Sequence, residues 1–490
     1  MTGIAGMFGR NASTGVVADM LEIVRHRGPD ATHLMHGRGY VLGCCQANLG
    51  SKRSDSYVGG DKEGIVFDGH IYNTTPGYMT DAEILLDLSR RYGKRCLSHI
   101  DGTYAVAIAD EDELMLGRDH VGTRSIFYGT AGGTTYFASE LKALKPYADT
   151  VAELQPGTVY SSRKGVSQFE MIREKSPPFK TVDKGKKVLR RAIIDATERR
   201  MRDQAVGGVA LGGGLDSSII TAVALQCDPG LHLFTVGLGK SPDIKNARLV
   251  ADHLGARKRH HVRIVPEKEV AGMVRDAIWH LESFEEDCVK GCIATMLASG
   301  LASEHTNCCL CGEGADELFG GYHVIKQFGR KRRAAVMNAL ATIAYGTGLR
   351  RLDRGWLANS VNYRTPFLDT AVLGIADRMP VEWKVHGREQ TEKWILREAF
   401  RDMLPAKIVS RSKQSLATGT SIDAVTGRIA ARHVSPGDFA RATSTRTGFK
   451  LNSPAELWFY QMFKELFPED SYELQVRRWN PVRQFEAAEV

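Results

Sequence analysis

No apolar run in this 490-residue sequence reaches the roughly 20 residues that a membrane-spanning helix requires. The first residues also lack the basic-then-apolar order that is typical of a secretory signal peptide. The nine cysteines are odd in number, and their spacing does not suggest a disulfide framework. These absences argue against a membrane protein or a secreted one, and we expect a protein of the reducing cytoplasm.

The excess of basic residues is small, with a net charge of +8. The densest basic run, residues 330–333, has no aromatic residues interleaved and no recognisable nucleic-acid module around it. Such a run is usually the solvated face of a helix. We therefore expect no nucleic acid and no membrane as a partner.

Five cysteines, at positions 288, 292, 308, 309 and 311, are close enough in sequence to raise the question of a metal or iron–sulfur site. Cys308, Cys309 and Cys311 follow a pattern that predicts a buried strand, where successive side chains point to opposite faces. They could not converge on one ion without breaking that strand. The interpretation that we favour is thiols packed in a core.

The most informative segment is residues 209–218, Val-Ala-Leu-Gly-Gly-Gly-Leu-Asp-Ser-Ser, which predicts a strand, a glycine turn and the start of a helix. Glycines let backbone amides approach an anion, and a helix N-terminus adds free N–H groups and a positive dipole end. No lysine follows the glycines, so the segment departs from the Walker pattern. Asp216 among phosphates suggests a magnesium ligand.

A second segment, residues 311–322, Cys-Gly-Glu-Gly-Ala-Asp-Glu-Leu-Phe-Gly-Gly-Tyr, also follows an apolar run. Together the two segments resemble the nucleotide loops of the asparagine synthetase family, whose usual forms are SGGLDSS and SGEGSDELFGGY. The resemblance implies ATP and Mg²⁺ as cofactors and adenylation of a carboxylate with release of pyrophosphate.

By resemblance, several residues would contact ATP: Leu211, Gly212, Gly213, Gly214, Asp216, Ser217, Ser218, Val236, Cys311 and Gly312. Asp216 and Asp316 would hold the magnesium ion. Lys413 would stabilise charge on the adenylate or the tetrahedral intermediate, and Glu313 is a further catalytic candidate.

The chain is longer than one core usually supports, and its pattern changes along its length. Residues 1–165 show short alternating strands, typical of stacked antiparallel sheets, with one helix at 81–92. After a polar linker at 166–187, strands alternate with helices in residues 188–435, which predicts a parallel sheet. Residues 436–490 form a C-terminal extension that we expect to pack on the synthetase domain. The predicted fold class is α/β.

The N-terminal part resembles the family's class II glutamine amidotransferase domain, of the αββα N-terminal nucleophile fold. The resemblance rests on residues 3–6, 25–30, 117–124 and 137–144. The family's cysteine nucleophile is replaced by Thr2, which could still serve as an N-terminal nucleophile.

The residues that would surround glutamine also differ from the family pattern. Gln46 takes the place of the arginine that clamps the glutamine carboxylate, and Asp68-Gly69-His70 replaces Asn-Gly-Glu. Asp81 alone matches. An anionic aspartate near a developing oxyanion has the wrong sign, so we expect a domain inactive toward glutamine.

The residues that would bind the carboxylate acceptor also depart from the family pattern. Aspartate-using members carry two threonines and an arginine where this chain has Asp287, Cys288 and Lys290, and Asn362 replaces a glutamate thought to assist the amine. The acidic run 285–287 predicts a solvated loop. The alternative is that these carboxylates bind a positively charged acceptor. Because these changed residues do not identify another acceptor, aspartate, the family's usual acceptor, is the default.

The sequence predicts an AMP-forming carbon–nitrogen ligase that joins a small carboxylate to ammonia or another amine. Four alternatives stay open: a β-lactam synthetase-like or other specialised amide ligase, a glutamine-dependent asparagine synthetase using Thr2, a nucleic-acid-modifying enzyme with a pyrophosphate loop, and a non-catalytic homologue. The oligomeric state is also open, with a homodimer as one alternative.

Overall fold

The computed structural model describes residues 2–48, 56–59, 63–73, 80–170 and 179–479. The chain forms two compact units. Unit 1 comprises Met1–Arg173, Leu357–Asn362 and Phe467–Val476, and unit 2 comprises Glu174–Trp356, Tyr363–Leu466 and Arg477–Val490. In the part of the chain that the structure describes, no helix is long and apolar enough to cross a membrane.

Unit 1 contains two antiparallel six-stranded sheets. Its strands are β1 (Thr2–Phe8), β2 (Ala31–Gly37), β3 (Tyr40–Gln46), β4 (Tyr57–Gly59), β5 (Glu63–Ile71), β6 (Gly102–Asp110), β7 (Leu114–Arg118), β8 (Phe127–Ala131), β9 (Thr134–Ala138), β10 (Thr150–Glu153), β11 (Thr158–Ser161) and β12 (Gly165–Gln168). The strand orders are β10-β8-β9-β1-β3-β2 and β12-β11-β7-β6-β5-β4.

The core of unit 1 lies between these two sheets. Ile4 and Leu42 of the first sheet pack with Val66 and Ala107 of the second, and all four are fully buried. Helix α1 (Thr14–Ile23) packs on β1 and β3, and helix α2 (Asp81–Tyr92) packs on β5. The result is the predicted layering of helix, sheet, sheet and helix.

Helix α2 begins where its sequence predicts. Thr80 and Glu83 form a capping box, in which the Thr80 N–H donates to Glu83 Oε2 at 2.7 Å and the Glu83 N–H donates to Thr80 Oγ1 at 3.2 Å. The helix spans the predicted residues 81–92.

Unit 2 is built on a five-stranded sheet of order β15-β14-β13-β16-β17. Its strands are β13 (Gly208–Ala210), β14 (His232–Gly237), β15 (His260–Ile264), β16 (Cys308–Leu310) and β17 (Asn362–Arg364), of which the first residue of β17, Asn362, is assigned to unit 1. Strand β13 runs parallel to both β14 and β16, and β14 runs parallel to β15. The carboxyl ends of these strands therefore meet at one edge, where ligand loops gather in parallel sheets.

The helices of unit 2 are α3 (Val182–Met201), α4 (Leu215–Cys227), α5 (Pro242–His253), α6 (Glu267–Leu281), α7 (Glu286–Ser303), α8 (Ala315–Phe319), α9 (Arg330–Ile343), α10 (Gly348–Leu357), α11 (Thr370–Arg378), α12 (Val381–Lys384), α13 (Trp394–Ala399), α14 (Ala406–Val409), α15 (Leu416–Gly419), α16 (Ile422–His433), α17 (Pro436–Arg441) and α18 (Pro454–Leu466). A small antiparallel pair joins β18 (Val385–His386) to β19 (Thr391–Glu392). Helix α19 (Asp470–Glu473) belongs to unit 1.

The α/β fold class is confirmed, with antiparallel sheets first and a parallel sheet after them. The basic run 330–333 begins helix α9 and is largely exposed, as expected. All nine cysteines are free, and the five from 288 to 311 are buried in unit 2.

Two parts of the predicted organisation differ in detail from the structure. Strand β12 (Gly165–Gln168) overlaps the start of the predicted linker and α3 begins inside it at Val182, while residues 171–178 lie outside the described residues. The predicted C-terminal extension divides between the units, because Phe467–Val476 belong to unit 1. The Gln475 side chain accepts a hydrogen bond from the Glu153 N–H at 3.3 Å there.

Candidate active site

A cavity of about 450 Å³ lies at the carboxyl edge of the parallel sheet of unit 2. The sequence-predicted residues that line it are Leu211, Gly212, Gly214, Asp216, Ser217, Val236, Gly312, Glu313, Asp316 and Lys413. They come from the ends of β13, β14 and β16 and from the segment after α14. Gly213, Ser218 and Cys311 lie beside the cavity without lining it, so their contact with a nucleotide stays a prediction.

The glycine loop holds its shape through close packing. Gly213 has a φ of +68°, and a Cβ there would lie 2.7 Å from the carbonyl carbon of Asn246 in α5. Only glycine meets both conditions without strain. Ser218 is turned away from the cavity, because its hydroxyl donates to the Gly214 carbonyl at 2.6 Å. Ser217 is the loop hydroxyl that lines the cavity.

The two sequence motifs are in direct contact. A Cβ on Gly312 would lie 2.8 Å from the Ser217 nitrogen and 3.0 Å from the Asp216 carbonyl carbon. A side chain at position 312 would therefore push the second loop away from the N-terminus of α4. Cys311 is held against β17, since its N–H donates to the Arg364 carbonyl at 2.9 Å. Burial raises the pKa of the Cys311 thiol well above its usual value, as expected of a core cysteine.

The cavity wall carries a cluster of two carboxylates and two ammonium groups, Asp216, Asp316, Lys393 and Lys413. Lys393 Nζ lies 2.5 Å from Asp216 Oδ2 and 2.6 Å from Asp316 Oδ1. Lys413 Nζ lies 2.5 Å from Asp316 Oδ2. Sequence reasoning did not single out Lys393, because nothing local shows that it reaches both aspartates.

Burial and the two lysines act in opposite directions on these carboxylates. Burial raises the pKa of Asp216, although Lys393 opposes the shift. Burial would also raise the pKa of Asp316, but Lys393 and Lys413 outweigh it and hold that pKa well below its usual value. Lys393 itself is desolvated, yet the two aspartates raise its pKa above the usual range. Asp316 and Lys393 are therefore both charged at neutral pH.

The carboxylate pair fits a magnesium ion. Asp216 Oδ1 is buried and has no hydrogen-bond partner among the described residues. Oxygen ligands from one or two carboxylates, completed by phosphate oxygens and water, are the usual magnesium environment in nucleotide sites. Asp216 and Asp316 are the residues that would hold the ion.

Arg411, which the sequence reasoning did not single out, also holds the glycine loop in place. Its guanidinium donates to the Gly213 carbonyl at 2.7 Å and to Asp243 Oδ1 at 2.8 Å. Burial raises the pKa of Asp243, and Arg411 opposes that shift. Arg411 thus fixes the loop against the start of α5 and borders the cavity.

Charged residues outside the two nucleotide loops also line the cavity. Arg351 and Asp287 line it, and Arg351 Nη2 lies 3.5 Å from Glu313 Oε1. Burial raises the pKa of Glu313, while Arg351 acts against that shift. Lys290 is used elsewhere, since its Nζ lies 2.5 Å from both Glu286 and Asp423.

The expectation of a solvated acidic loop at 285–287 is wrong. Glu285 is the N-cap of α7, buried, and its carboxylate accepts from the Cys288 N–H at 2.8 Å. Acidic side chains favour helix N-termini, which the loop interpretation did not consider. Of the three acidic residues, Glu285 and Asp287 line the cavity.

Unit 1 brings the residues of the altered glutamine pocket together around β1. Thr2 pairs with Gln46 across β1 and β3, and both are buried. The Thr2 hydroxyl is hydrogen-bonded to the Ser56 hydroxyl. Burial raises the pKa of the neighbouring Cys45 thiol to about 12, so Cys45 does not supply a reactive thiolate in place of the lost cysteine. Residues 49–55 and 74–79 of this region lie outside the described residues.

Asp68 is held in a buried charge network. Arg27 Nη2 lies 2.8 Å from Asp68, and Arg27 Nη1 lies 3.0 Å from Glu140. Gly69 has a φ of +148°, and a Cβ there would lie 2.7 Å from Tyr104 Cα, which leaves room for glycine alone.

His70 is also engaged. Its Nδ1 lies 3.2 Å from Asp81 Oδ2, and its Nε2 lies 3.2 Å from Asn362 Nδ2. Asn362, which replaces the family's glutamate, also accepts from Arg124 Nη2 at 2.5 Å. From the sequence, Asn362 is recognised only as the replacement of a glutamate thought to assist the amine. Its contact with His70 is missed, because almost 300 residues separate the two.

These two units define an amidotransferase-like module joined to a pyrophosphate-loop synthetase module, and sequence comparison gives the family. The chain belongs to the asparagine synthase family, whose members are ATP-dependent ligases. The family model for asparagine synthase matches residues 188–339 and 327–487, and a model for the glutamine amidotransferase domain matches residues 1–187.

Individual relatives agree with this family. Asparagine synthetase B [glutamine-hydrolyzing] of Escherichia coli (strain K12) is 30% identical over 92% of this chain and 88% of its own length. Asparagine synthetase [glutamine-hydrolyzing] 2 of Arabidopsis thaliana is 28% identical over 96% of this chain and 88% of its own. Among solved structures, the glutamine phosphoribosylpyrophosphate amidotransferase from B. subtilis complexed with ADP and GMP is 18% identical. It covers 47% of this chain and 65% of that one, with a TM-score of 0.31.

Proposed function

We propose that unit 2 forms an amide in two steps. A carboxylate oxygen of the acceptor attacks the α-phosphorus of ATP and pyrophosphate leaves; ammonia or another amine then attacks the acyl carbon and AMP leaves. The observation that carries this proposal is the meeting of Asp216, Asp316 and Lys413 on one cavity wall from three separate segments.

The surrounding residues support a division of roles. The glycine loop and Ser217 would bind the pyrophosphate portion of ATP through N–H and hydroxyl donors at the start of α4. Asp216 and Asp316 would hold Mg²⁺, which when bound neutralises charge on the polyphosphate. Lys413 would stabilise the charge that develops on the adenylate and the tetrahedral intermediate.

Lys393 would keep the two aspartates close together. Its ammonium group offsets their repulsion in a site where burial strengthens every charge interaction. We assign it a positioning role rather than contact with substrate.

The charges of Arg351 and Asp287 favour an amino acid as the acceptor. Arg351 offers a guanidinium to a second carboxylate of the acceptor, and Asp287 offers a carboxylate to its ammonium group. Aspartate carries both groups and is our first candidate. A specialised acceptor with the same two charges is the second, because Asp287 and Cys288 replace the family's usual residues.

Ammonia or another amine is a better candidate for the nitrogen source than glutamine. Asp68 is engaged by Arg27 and does not offer the neutral donor that an oxyanion needs. Gln46 lacks the charge to clamp a carboxylate. Unit 1 would then support the fold without hydrolysing glutamine.

Pyrophosphate release by the purified protein tests this function. ATP and Mg²⁺ are combined with a panel of amino acids and other carboxylates, each with ammonium, with glutamine or with neither. We expect release with aspartate or a related amino acid and ammonium, and far slower release with glutamine. Lys413→Ala should abolish it, whereas Lys407→Ala, an exposed change in α14, should leave it intact.

Other outcomes would redirect the assignment. Equal rates of pyrophosphate release with glutamine and with ammonium would instead support a glutamine-dependent enzyme that uses Thr2 as its nucleophile. Pyrophosphate release only with tRNA would favour a nucleic-acid-modifying enzyme, and silence with every acceptor, together with no ATP binding, would favour a non-catalytic homologue.

A further inference from the structure

Three histidines of unit 2 converge at a place that the proposed ligase reaction does not use. His232 begins β14, His261 lies in β15, and His305 follows the C-terminus of α7. One ring nitrogen from each lies within 4.8 Å of the others. In the ranges that the structure describes, no other group of three His, Cys, Asp or Glu side chains comes this close to sharing an ion.

The cluster lies away from the nucleotide loops. His232 is the first residue of β14, and His261 is the second residue of β15, which runs parallel to β14. Both therefore lie toward the amino ends of their strands, whereas the cavity lies at the carboxyl edge of the same sheet. None of the three histidines lines that cavity.

Aromatic packing holds the rings in place. His232 Nδ1 lies 2.9 Å from His261 Nε2, and the His261 and His305 ring centroids are 3.9 Å apart. Phe234 flanks the group, with its ring centroid 5.5 Å from that of His261 and 5.8 Å from that of His305. The three rings are thus adjacent before an ion binds, which reduces the entropy lost on binding.

The surroundings keep imidazole groups available as ligands. Burial lowers the pKa of His232 and of His261, and the neighbouring His305 lowers both further. Glu304 acts in the opposite direction on His261. Both shifts favour the neutral imidazole, the form in which a nitrogen lone pair can bind a metal.

We propose that His232, His261 and His305 bind one divalent transition-metal ion of the Zn²⁺ class and thereby tie β14 and β15 to the end of α7. Three imidazoles suit zinc, copper or nickel, and a fourth position would go to water. In a tetrahedral zinc site, nitrogens about 2.0–2.1 Å from the ion are roughly 3.3 Å apart, so closing the present arrangement requires ring shifts of about 1 Å. His305 is exposed and lies beyond the helix end, which allows such a shift.

Zinc titration of the full-length, untagged, metal-free protein tests the site. Affinity and stoichiometry are measured by competition with a chromophoric chelator for the wild type, His305→Gln, the double variant His232→Gln/His261→Gln, and the control His253→Gln. His253 is an exposed histidine at the end of α5, outside the cluster. Circular dichroism confirms that each variant is folded.

We expect the wild type and His253→Gln to bind one more Zn²⁺ than the cluster variants, or to bind it at least tenfold more tightly, and Zn²⁺ to raise their Tm. Copper bound to the wild type should show nitrogen hyperfine coupling in its electron paramagnetic resonance spectrum, and this coupling should be lost in the double variant. Equal zinc affinity, stoichiometry and Tm shift across all four proteins would overturn the proposal, as would an equal loss in His253→Gln.

Discussion

The ammonium group of Lys393 lies 2.5 Å from the carboxylate of Asp216, a residue 177 positions earlier in the chain. The same ammonium reaches Asp316 at 2.6 Å. Both nucleotide loops are thus joined through one buried lysine on α13's N-cap. This contact links the glycine loop, the second loop and the segment ahead of Lys413 into one charged centre.

Replacing Lys393 by methionine should expose the repulsion between the two aspartates. Breaking a buried ion pair on one side costs about 3–5 kcal/mol. We expect a lower Tm without metal and a larger rise in Tm on adding Mg²⁺ than in the wild type, measured by scanning fluorimetry. Lys407→Met, an exposed change, is the control, and a wild-type Tm with a wild-type magnesium response in Lys393→Met would contradict the role of Lys393.

Gly312→Ala should weaken ATP binding, because its methyl group would meet the Ser217 nitrogen at 2.8 Å. We expect the Kd for Mg·ATP, measured by calorimetry, to rise at least tenfold. Gly374→Ala is the matched control, since a Cβ there meets nothing within 4 Å. An unchanged Kd in Gly312→Ala would show that the two loops need not touch.

Arg411→Lys should raise the KM for ATP. A lysine is a point charge and cannot hold both the Gly213 carbonyl and Asp243 in the fork geometry of arginine. Loss of one charged hydrogen bond, about 1.5–3 kcal/mol, corresponds to a tenfold or greater rise. Arg428→Lys, in an exposed pair with Glu267, should leave the KM unchanged. Equal KM values for the two variants would contradict the clamp.

Glu285 should make the stability of the protein depend on pH. Burial, aided by Asp287, raises its pKa from 4.5 to about 7. Between these values the folded protein keeps a proton that the unfolded chain has lost, so stability falls as pH rises and levels off above about 7. The total loss is about 3 kcal/mol.

Glu285→Gln keeps an oxygen for the Cys288 N–H and removes this loss. We therefore expect its Tm to exceed that of the wild type increasingly from pH 5 to about pH 7, and by a constant difference above that pH. The control is Glu267→Gln, an exposed change in the first turn of α6. A Tm difference that does not vary with pH would contradict the buried ionisation of Glu285.

Thr2→Cys should not create a glutaminase. The nucleophile would be restored, but Gln46 would still lack a clamping charge and Asp68 would still be paired with Arg27. We expect no glutamate release above background in a coupled assay with glutamate dehydrogenase. Glutamate formed at a rate comparable to pyrophosphate release would show that the pocket is functional.

Much of the fold could be predicted from local sequence. The alternating strands of unit 1, helix α2 with its capping box, and β16 all lie where hydrophobic period and capping residues indicate. The acidic run 285–287 was misassigned because a buried helix N-cap and a solvated loop share the same composition.

The candidate site could be predicted in part. Motif residues such as Asp216, Asp316 and Lys413 carry a local signature, and the structure brings them to one wall. The contacts of Lys393 with Asp216 and of Arg411 with the Gly213 carbonyl span 177 and 198 positions, which no local pattern encodes. Conversely, a residue can belong to the motif without facing the cavity. The place of Ser218 in the motif does not reveal that its hydroxyl donates to the Gly214 carbonyl within the helix.

The transfer of an oxygen isotope tests the central claim most directly. The acceptor that supports pyrophosphate release is prepared with ¹⁸O in its carboxylate and incubated with ATP, Mg²⁺ and ammonium, and the products are read by mass spectrometry. Adenylation of the carboxylate predicts one ¹⁸O in AMP for each amide formed. Unlabelled AMP, or ADP with the label in phosphate, would contradict the account.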